Sequence, residues 1–195
     1  MFHTYRSEVI FMHNFETIDQ LNQWLTSKGI DATQWGTGGA KSVENLWAEI
    51  VEGESQIQDE PPLRLVQMVK VIIRDGNRIL LEAEQEFGEN QQRYRGQPPA
   101  EKIKPGESQV EAALRCLHEE LQVSPSQVEI LSWTSEPEQV CDESPSYPGL
   151  PTNYVRYEVE AKVVGLPREP FSTIETIHDD GDPVKNHHWL WETKS

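Results

Sequence analysis

The sequence has few cysteines, few basic residues and no long apolar run. Its two cysteines, Cys116 and Cys141, form neither a CxxC pair nor a disulfide framework, so we expect free thiols in a reducing compartment. No apolar run approaches the roughly 18 residues that a membrane helix needs. The N-terminal stretch also lacks the basic start and apolar centre of a secretory signal. These absences predict a cytoplasmic protein with no membrane partner.

Basic residues are outnumbered by acidic ones. The chain of 195 residues has 17 Lys and Arg against 33 Asp and Glu, a formal net charge of −16 at pH 7. Such a surface repels a polyphosphate backbone, and no Lys/Arg cluster marks a duplex-binding face. We therefore expect no nucleic-acid duplex as a partner. Chemistry on phosphate groups would need a divalent cation held by carboxylates, although acidity alone indicates no more than solubility.

The first part of the chain is predicted to be helical. Residues 17–28 and the segment after Ser42 carry apolar side chains at helical spacing, so we predict a helical N-terminal extension over residues 1–60. The Gly-rich stretch between them, residues 36–42, is similar to a phosphate-binding P-loop. It lacks the Gly directly before Lys and the buried strand that this loop needs, so a turn between helices is favoured.

The second domain, residues 61–195, shows strands, then a helix, then strands. A hairpin is predicted around Asp75-Gly76-Asn77, and a short strand around Tyr94. The other predicted elements are strands over Leu65–Ile73, Arg78–Ala83, Val128–Trp133, Tyr154–Val164 and His188–Trp191, and a helix over Ser108–Leu121. This order predicts an α+β (mixed α/β) fold rather than a doubly wound parallel sheet.

The helix at 108–121 begins with a capping box, Ser108-Gln-Val-Glu111. Its expected sheet-facing stripe consists of Val110, Ala113, Leu114, Leu117 and Leu121. The opposite side is expected to carry Ala112, Arg115, Cys116 and Glu119, with Glu120 at its flank. Glutamates at this spacing converge and could chelate a hard cation such as Mg²⁺. The alternative is an ordinary solvated face supported by ion pairs.

The segment EKIKPGESQVEAALRCLHEELQV, residues 101–123, resembles the Nudix box G-x5-E-x7-R-E-U-x-E-E-x-G-U, in which U is aliphatic. The positions that match are Glu107, Arg115, Leu117, Glu119, Glu120 and Val123. Glu101 and Gln122 stand where the box has Gly, and Cys116 stands where it has Glu. The resemblance extends over roughly residues 64–193 and leaves the N-terminal helices outside.

The resemblance implies a Nudix-like α/β/α sandwich with a mixed sheet. It further implies a hydrolase that uses Mg²⁺ or Mn²⁺ and a water nucleophile to cleave a nucleoside diphosphate linked to another moiety. Glu119 and Glu120 would bind the metal, and Glu119, Arg115 and Glu107 would form the catalytic set, the last two as a brace. Lys102 and Lys104 could contact phosphate, while Tyr147 could stack on a base or belong to an ordinary loop.

The main alternative is a catalytically impaired Nudix-fold protein that binds a nucleotide-like ligand or a protein partner. Cys116 favours it, because a thiol is a poor ligand for Mg²⁺. A redox-sensitive regulator based on Cys116 is a weaker option. An acidic loop containing Glu175, Asp179, Asp180 and Asp182 could partly replace the missing glutamate, or be merely solvated. The N-terminal helices could cover the pocket or form a homodimer contact.

Overall fold

The computed structural model describes residues 12–87, 91–174 and 184–193. Its helices are α1 (Ile18–Ser27), α2 (Val43–Val51) and α3 (Gln109–Leu121). The strands are β1 (Met12–His13), β2 (Gln56–Gln58), β3 (Leu63–Asp75), β4 (Arg78–Phe87), β5 (Gln91–Gln97), β6 (Ala100–Lys102), β7 (Val128–Trp133), β8 (Glu138–Glu143), β9 (Pro151–Val163), β10 (Phe171–Ile174) and β11 (Val184–Thr193). The predicted α+β class is confirmed. None of the described helices is long and apolar enough to span a bilayer.

The chain forms two compact units. The first contains residues up to Val66 together with Cys141–Asn153, and the second contains Gln67–Val140 and the residues from Tyr154 onward. The chain passes between the units within β3, β8 and β9. The loop before β9 therefore belongs with the N-terminal helices.

The first unit has its own hydrophobic core. Helix α1 is capped by Thr17 and helix α2 by Ser42, which forms a capping box with Asn45. The buried cluster consists of Leu21, Trp24, Leu25, Ile30, Trp35, Leu46, Ile57, Tyr147 and Leu150. The Gly-rich stretch between the helices is a turn, closed by a hydrogen bond from Gly36 N to Lys41 O at 3.2 Å. The favoured interpretation of that stretch is confirmed.

The second unit is built on a sheet in which β3, β4, β11 and β10 are neighbours in that order. Strand β5 pairs with β4, β6 with β3, and β7 with β9, each antiparallel. The predicted hairpin joins β3 to β4, with Asp75 opposite Arg78. Its tight connection places Gly76 at φ +64°, a backbone angle that suits glycine.

Helix α3 packs on the core of the second unit with more of its surface than predicted. Ala112 and Cys116, expected on the outer side, are fully buried, whereas Val110 and Leu114 are only partly buried. Two adjacent rows at i, i+4 spacing therefore contact the core. The small side chains at 112 and 116 allow the helix to approach closely along the second row. The sheet contributes Val69, Val71, Ile73, Leu80, Val159, Ala161 and Trp189 to this core.

Candidate active site

Arg115 connects α3 to the segment that precedes it. Its Nε and Nη2 atoms donate to the two carboxylate oxygens of Glu107 at 2.9 and 3.0 Å. Nη2 also donates to the main-chain oxygen of Lys102 at 2.6 Å, and Nη1 to Glu119 Oε2 at 3.3 Å. The two-point contact with Glu107 has the fork geometry that makes arginine–carboxylate pairs strong. The guanidinium thus joins strand β6, the loop and the helix.

Glu107 also stabilises the loop before α3. Its second carboxylate oxygen accepts from Lys104 N at 2.9 Å, while Ser108 caps the helix at the next residue. Burial favours a higher pKa for Glu107, but the hydrogen bonds from Arg115 and Lys104 outweigh it and lower the pKa. The carboxylate is therefore ionised at neutral pH. The structure brings Glu107 and Arg115 together, as the resemblance implied.

Gln122 shows how the helix ends without the glycine of the box. It adopts a left-handed conformation with φ 57°, and its N–H donates to His118 O at 3.1 Å. Val123 N donates to Leu117 O at 3.1 Å, and the bond from Gln122 is that of the αL helix ending, which usually has Gly at this position. The Gln122 amide then donates to Ile174 O in β10 at 3.1 Å. The backbone shape survives the substitution, and the side chain ties the helix end to the sheet.

Glu119 and Glu120, the predicted metal ligands, differ in environment. Glu119 is partly buried and bonded to Arg115, whereas Glu120 is only 8% exposed. Within the part of the chain that the structure describes, Glu120 Oε2 has no hydrogen-bond partner. Burial and, next, the negative charge of Glu82 raise the pKa of Glu120 well above its ordinary value. A positive charge beside this carboxylate would offset both effects.

Cys116 lies fully buried between α3 and the core. Burial raises the pKa of its thiol, and the nearby charges of Glu120 and Glu101 raise it further. The thiol is therefore neutral at physiological pH. It can neither act as a nucleophile nor replace a carboxylate as a base, and it does not suit the predicted redox option.

Three polar residues near the box, Glu82, Arg95 and His187, were not foreseen. Glu82, on β4, is 1% exposed; it is hydrogen-bonded to His187 Nδ1 and accepts from Arg95 Nε at 3.1 Å. His187 lies opposite Thr173 in the β10–β11 pair, and Thr173 Oγ1 donates to the main-chain oxygen of Glu120. This chain of contacts connects the sheet to the carboxyl end of α3. Glu82, His187 and Arg95 therefore lie close enough to Glu120 to influence its charge.

The predicted substrate residues are not all near the box. Lys102 and Lys104 lie at its edge, where their main-chain atoms bond Arg115 and Glu107. Tyr147 belongs to the core of the first unit, fully buried, with its ring 5.1 Å from that of Trp35 and 4.8 Å from Arg64 Cζ. The ring therefore offers no face to a substrate base, which corrects the expected stacking role. The acidic loop that contains Glu175, Asp179, Asp180 and Asp182 lies outside the described residues.

The residues of the box suit a hard cation only in part. Among the described residues, no group of three or more His, Cys, Asp or Glu side chains converges as a metal site. The box does provide two neighbouring carboxylates, and one oxygen of Glu120 is buried without a partner. Magnesium is commonly held by one or two carboxylates, with water and substrate phosphate completing its shell. The donor set fits a cation bound in that way.

Comparison with known proteins agrees with the resemblance. A family model of the NUDIX domain matches residues 64–188. Similar solved structures include a C. elegans Ap4A hydrolase, which is 20% identical over 66% of this chain and 80% of that chain, with a TM-score of 0.37. A NUDIX hydrolase from Nitrosomonas europaea is 18% identical over 62% and 70%, with a TM-score of 0.35. A NUDIX-family hydrolase from Clostridium perfringens is 14% identical over 65% and 80%, with a TM-score of 0.40. No curated protein matches significantly. Because the NUDIX match covers more than half of its length, this chain belongs to the Nudix family.

Proposed function

We propose that this protein hydrolyses a nucleoside diphosphate linked to another moiety, with water as the nucleophile and Mg²⁺ or Mn²⁺ as cofactor. One observation carries the proposal. Arg115 holds Glu107 and Glu119 in one network, while the adjacent Glu120 keeps a buried carboxylate oxygen without a partner among the described residues. Such an oxygen is costly to bury unless a ligand satisfies it.

Each residue of the box has a distinct part in this proposal. Glu119 and Glu120 would hold the cation, which supplies charge neutralisation to the diphosphate and orients a water molecule. Arg115 and Glu107 would hold the loop against the helix, so that the carboxylates of Glu119 and Glu120 are preorganised. Lys102 and Lys104 would contact phosphate oxygens from the edge of the box.

The test is hydrolysis of a substrate panel. The protein is incubated with Mg²⁺ or Mn²⁺ and dinucleoside polyphosphates, sugar nucleotides or nucleoside triphosphates, and the phosphate-containing products are measured. We expect turnover of at least one linked nucleoside diphosphate and a loss of about 100-fold or more in Glu119→Gln. Glu111→Gln is the matched control, because Glu111 lies exposed on the same helix and its amide can still cap Ser108. An inactive wild-type protein would contradict the proposal.

The neutral, buried thiol of Cys116 favours a second candidate function. A Nudix fold without the carboxylate at that position could bind a nucleotide-like ligand without cleaving it. Calorimetric titration of the wild-type protein with the same panel would then show binding without product. A Cys116→Glu variant that creates activity in an inert parent would identify the protein as catalytically impaired.

A further inference from the structure

We propose that Glu101 supplies the carboxylate that accepts the proton of the attacking water, in place of the glutamate that the Nudix box carries at position 116. This inference rests on the proposed hydrolase function. It arises from two departures from the box taken together. A carboxylate is missing at 116, where Cys116 stands, and one is present at 101, where the box has glycine.

The structure places Glu101 beside the rest of the box. Glu101 lies on β6 opposite Val69 of β3, next to Lys102, whose main-chain oxygen accepts from Arg115. Its Oε2 atom is 3.7 Å from Arg115 Nη1, and the same nitrogen is 3.3 Å from Glu119 Oε2. One guanidinium nitrogen thus contacts both carboxylates. Glu101 is therefore a neighbour of the predicted metal ligand although it comes from a different element.

The Glu101 side chain is held in one orientation and is partly exposed to solvent. Its Oε1 atom accepts from Lys102 N at 2.7 Å, which directs Oε2 towards Arg115. A quarter of the side chain is exposed, so a water molecule can reach it. Glu82, the other unforeseen carboxylate, is 2% exposed, and both of its oxygens are bonded by protein groups. Access to solvent therefore favours Glu101 over Glu82 as the proton acceptor.

The charges around Glu101 suit a base that works near neutral pH. Burial raises its pKa to about 7, which outweighs the lowering effects of Arg115 and Lys102, while Glu119 adds to the rise. From α3, the Glu120 carboxyl and the Cys116 thiol also face this group. A general base is most effective when its pKa lies near the working pH.

The proposed step conserves atoms and charge. A proton passes from water to Glu101 as the water oxygen bonds to phosphorus. The bond from phosphorus to the bridging oxygen breaks, and that oxygen leaves with the electron pair. The proton on Glu101 then passes to the leaving phosphate or to solvent. No oxidant, reductant or further co-reactant is required.

The experiment compares Glu101→Gln with wild-type protein and with the Glu111→Gln control, using the substrate that wild-type protein turns over fastest. We measure kcat and KM from pH 5 to pH 9, and Mn²⁺ binding by electron paramagnetic resonance. The expected result is a loss of about 100-fold or more in kcat at pH 8 and loss of the rise in kcat with pH that a general base produces. KM and Mn²⁺ affinity should remain within about threefold, and Cys116→Glu added to Glu101→Gln should restore kcat about tenfold or more.

The outcomes separate this inference from the function on which it rests. An inactive wild-type protein overturns both. If wild-type protein is active and Glu101→Gln is equally active, the role of Glu101 is refuted but the hydrolase function is not. The same holds if Glu101→Gln loses Mn²⁺ affinity in proportion to its loss of kcat. If Glu101→Gln does not fold, Glu101→Asp replaces it. A roughly tenfold lower kcat with a displaced pH midpoint then supports the inference, and unchanged values refute it.

Discussion

Replacement of Arg115 by methionine tests whether its ion-pair network stabilises the fold. The side chain is 18% exposed, and it donates four hydrogen bonds, two to Glu107, one to Glu119 and one to the oxygen of Lys102. Methionine preserves much of the aliphatic packing but leaves the partly buried carboxylates without a cation. Removing one member of a buried ion pair costs about 3–5 kcal/mol, so we expect a loss of roughly 3 kcal/mol in the free energy of unfolding at pH 7. That is a large part of the ~5–15 kcal/mol of a typical domain.

The predicted loss depends on pH in a defined direction. The pKa of Glu107 is lowered in the folded protein relative to its model value of 4.5. Its contribution to stability is therefore present above pH 4.5 and is lost as the pH falls through the lower folded-state pKa. The difference between wild type and Arg115→Met should then be largest near pH 7. It should become smaller as the pH falls below about 4.5.

Urea denaturation followed by fluorescence at pH 7 and at pH 4 measures both effects. Arg168→Met is the matched control, since Arg168 is exposed in a loop of the same unit and its replacement should change stability by less than about 0.5 kcal/mol. A Glu107→Gln variant and the double variant complete a cycle that isolates the pair. A loss below about 1 kcal/mol for Arg115→Met, or a loss equal at both pH values, would refute the reasoning.

Two further predictions concern buried groups outside the brace. A thiol reagent should label the exposed Cys141 in the native protein, and Cys116 only after denaturation, because burial raises the pKa of the Cys116 thiol and blocks access to it. Mass spectrometry that finds two labels on each native molecule would contradict this. In the first unit, Arg64 and Glu49 form a buried ion pair at 2.6 Å, so Arg64→Met should lower the free energy of unfolding by about 3 kcal/mol or more. Its urea midpoint should shift accordingly, and an unchanged midpoint would show that the pair contributes nothing.

Much of the fold could be predicted from local pattern. The predicted N-caps of the three described helices, Thr17, Ser42 and Ser108, are confirmed, since an N-cap bonds only to residues of its own first turn. The hairpin at Gly76 and the short strand around Tyr94 are also as expected. Strands β1, β2, β6, β8 and β10 were not predicted. They are at most six residues long, too short to show the apolar alternation that marks a half-buried strand.

The candidate site was predictable only where its residues share one helix and its leading loop. The resemblance implied the pairing of Glu107 with Arg115, and the i, i+4 spacing favours the pairing of Arg115 with Glu119; the structure contains both. The approach of Glu82 and His187 was not predictable, because they are distant in sequence and meet only through the pairing of β4 with β11. The possible stacking of Tyr147 on a base was wrong, because its ring is part of the hydrophobic core of the first unit.

The amino-acid sequence by itself therefore determined the helix boundaries, the hairpin, the α+β class and the spacing of the box, all of which depend on neighbours within a few residues. Only the tertiary structure decided that Cys116 is buried, that Glu101 joins Glu119 at Arg115, and that Glu120 keeps an oxygen without a partner among the described residues. Burial and electrostatic environment are set by groups that folding brings together from distant strands. Periodicity along the chain predicts which face of a helix is apolar, but it does not predict which residues that face contacts.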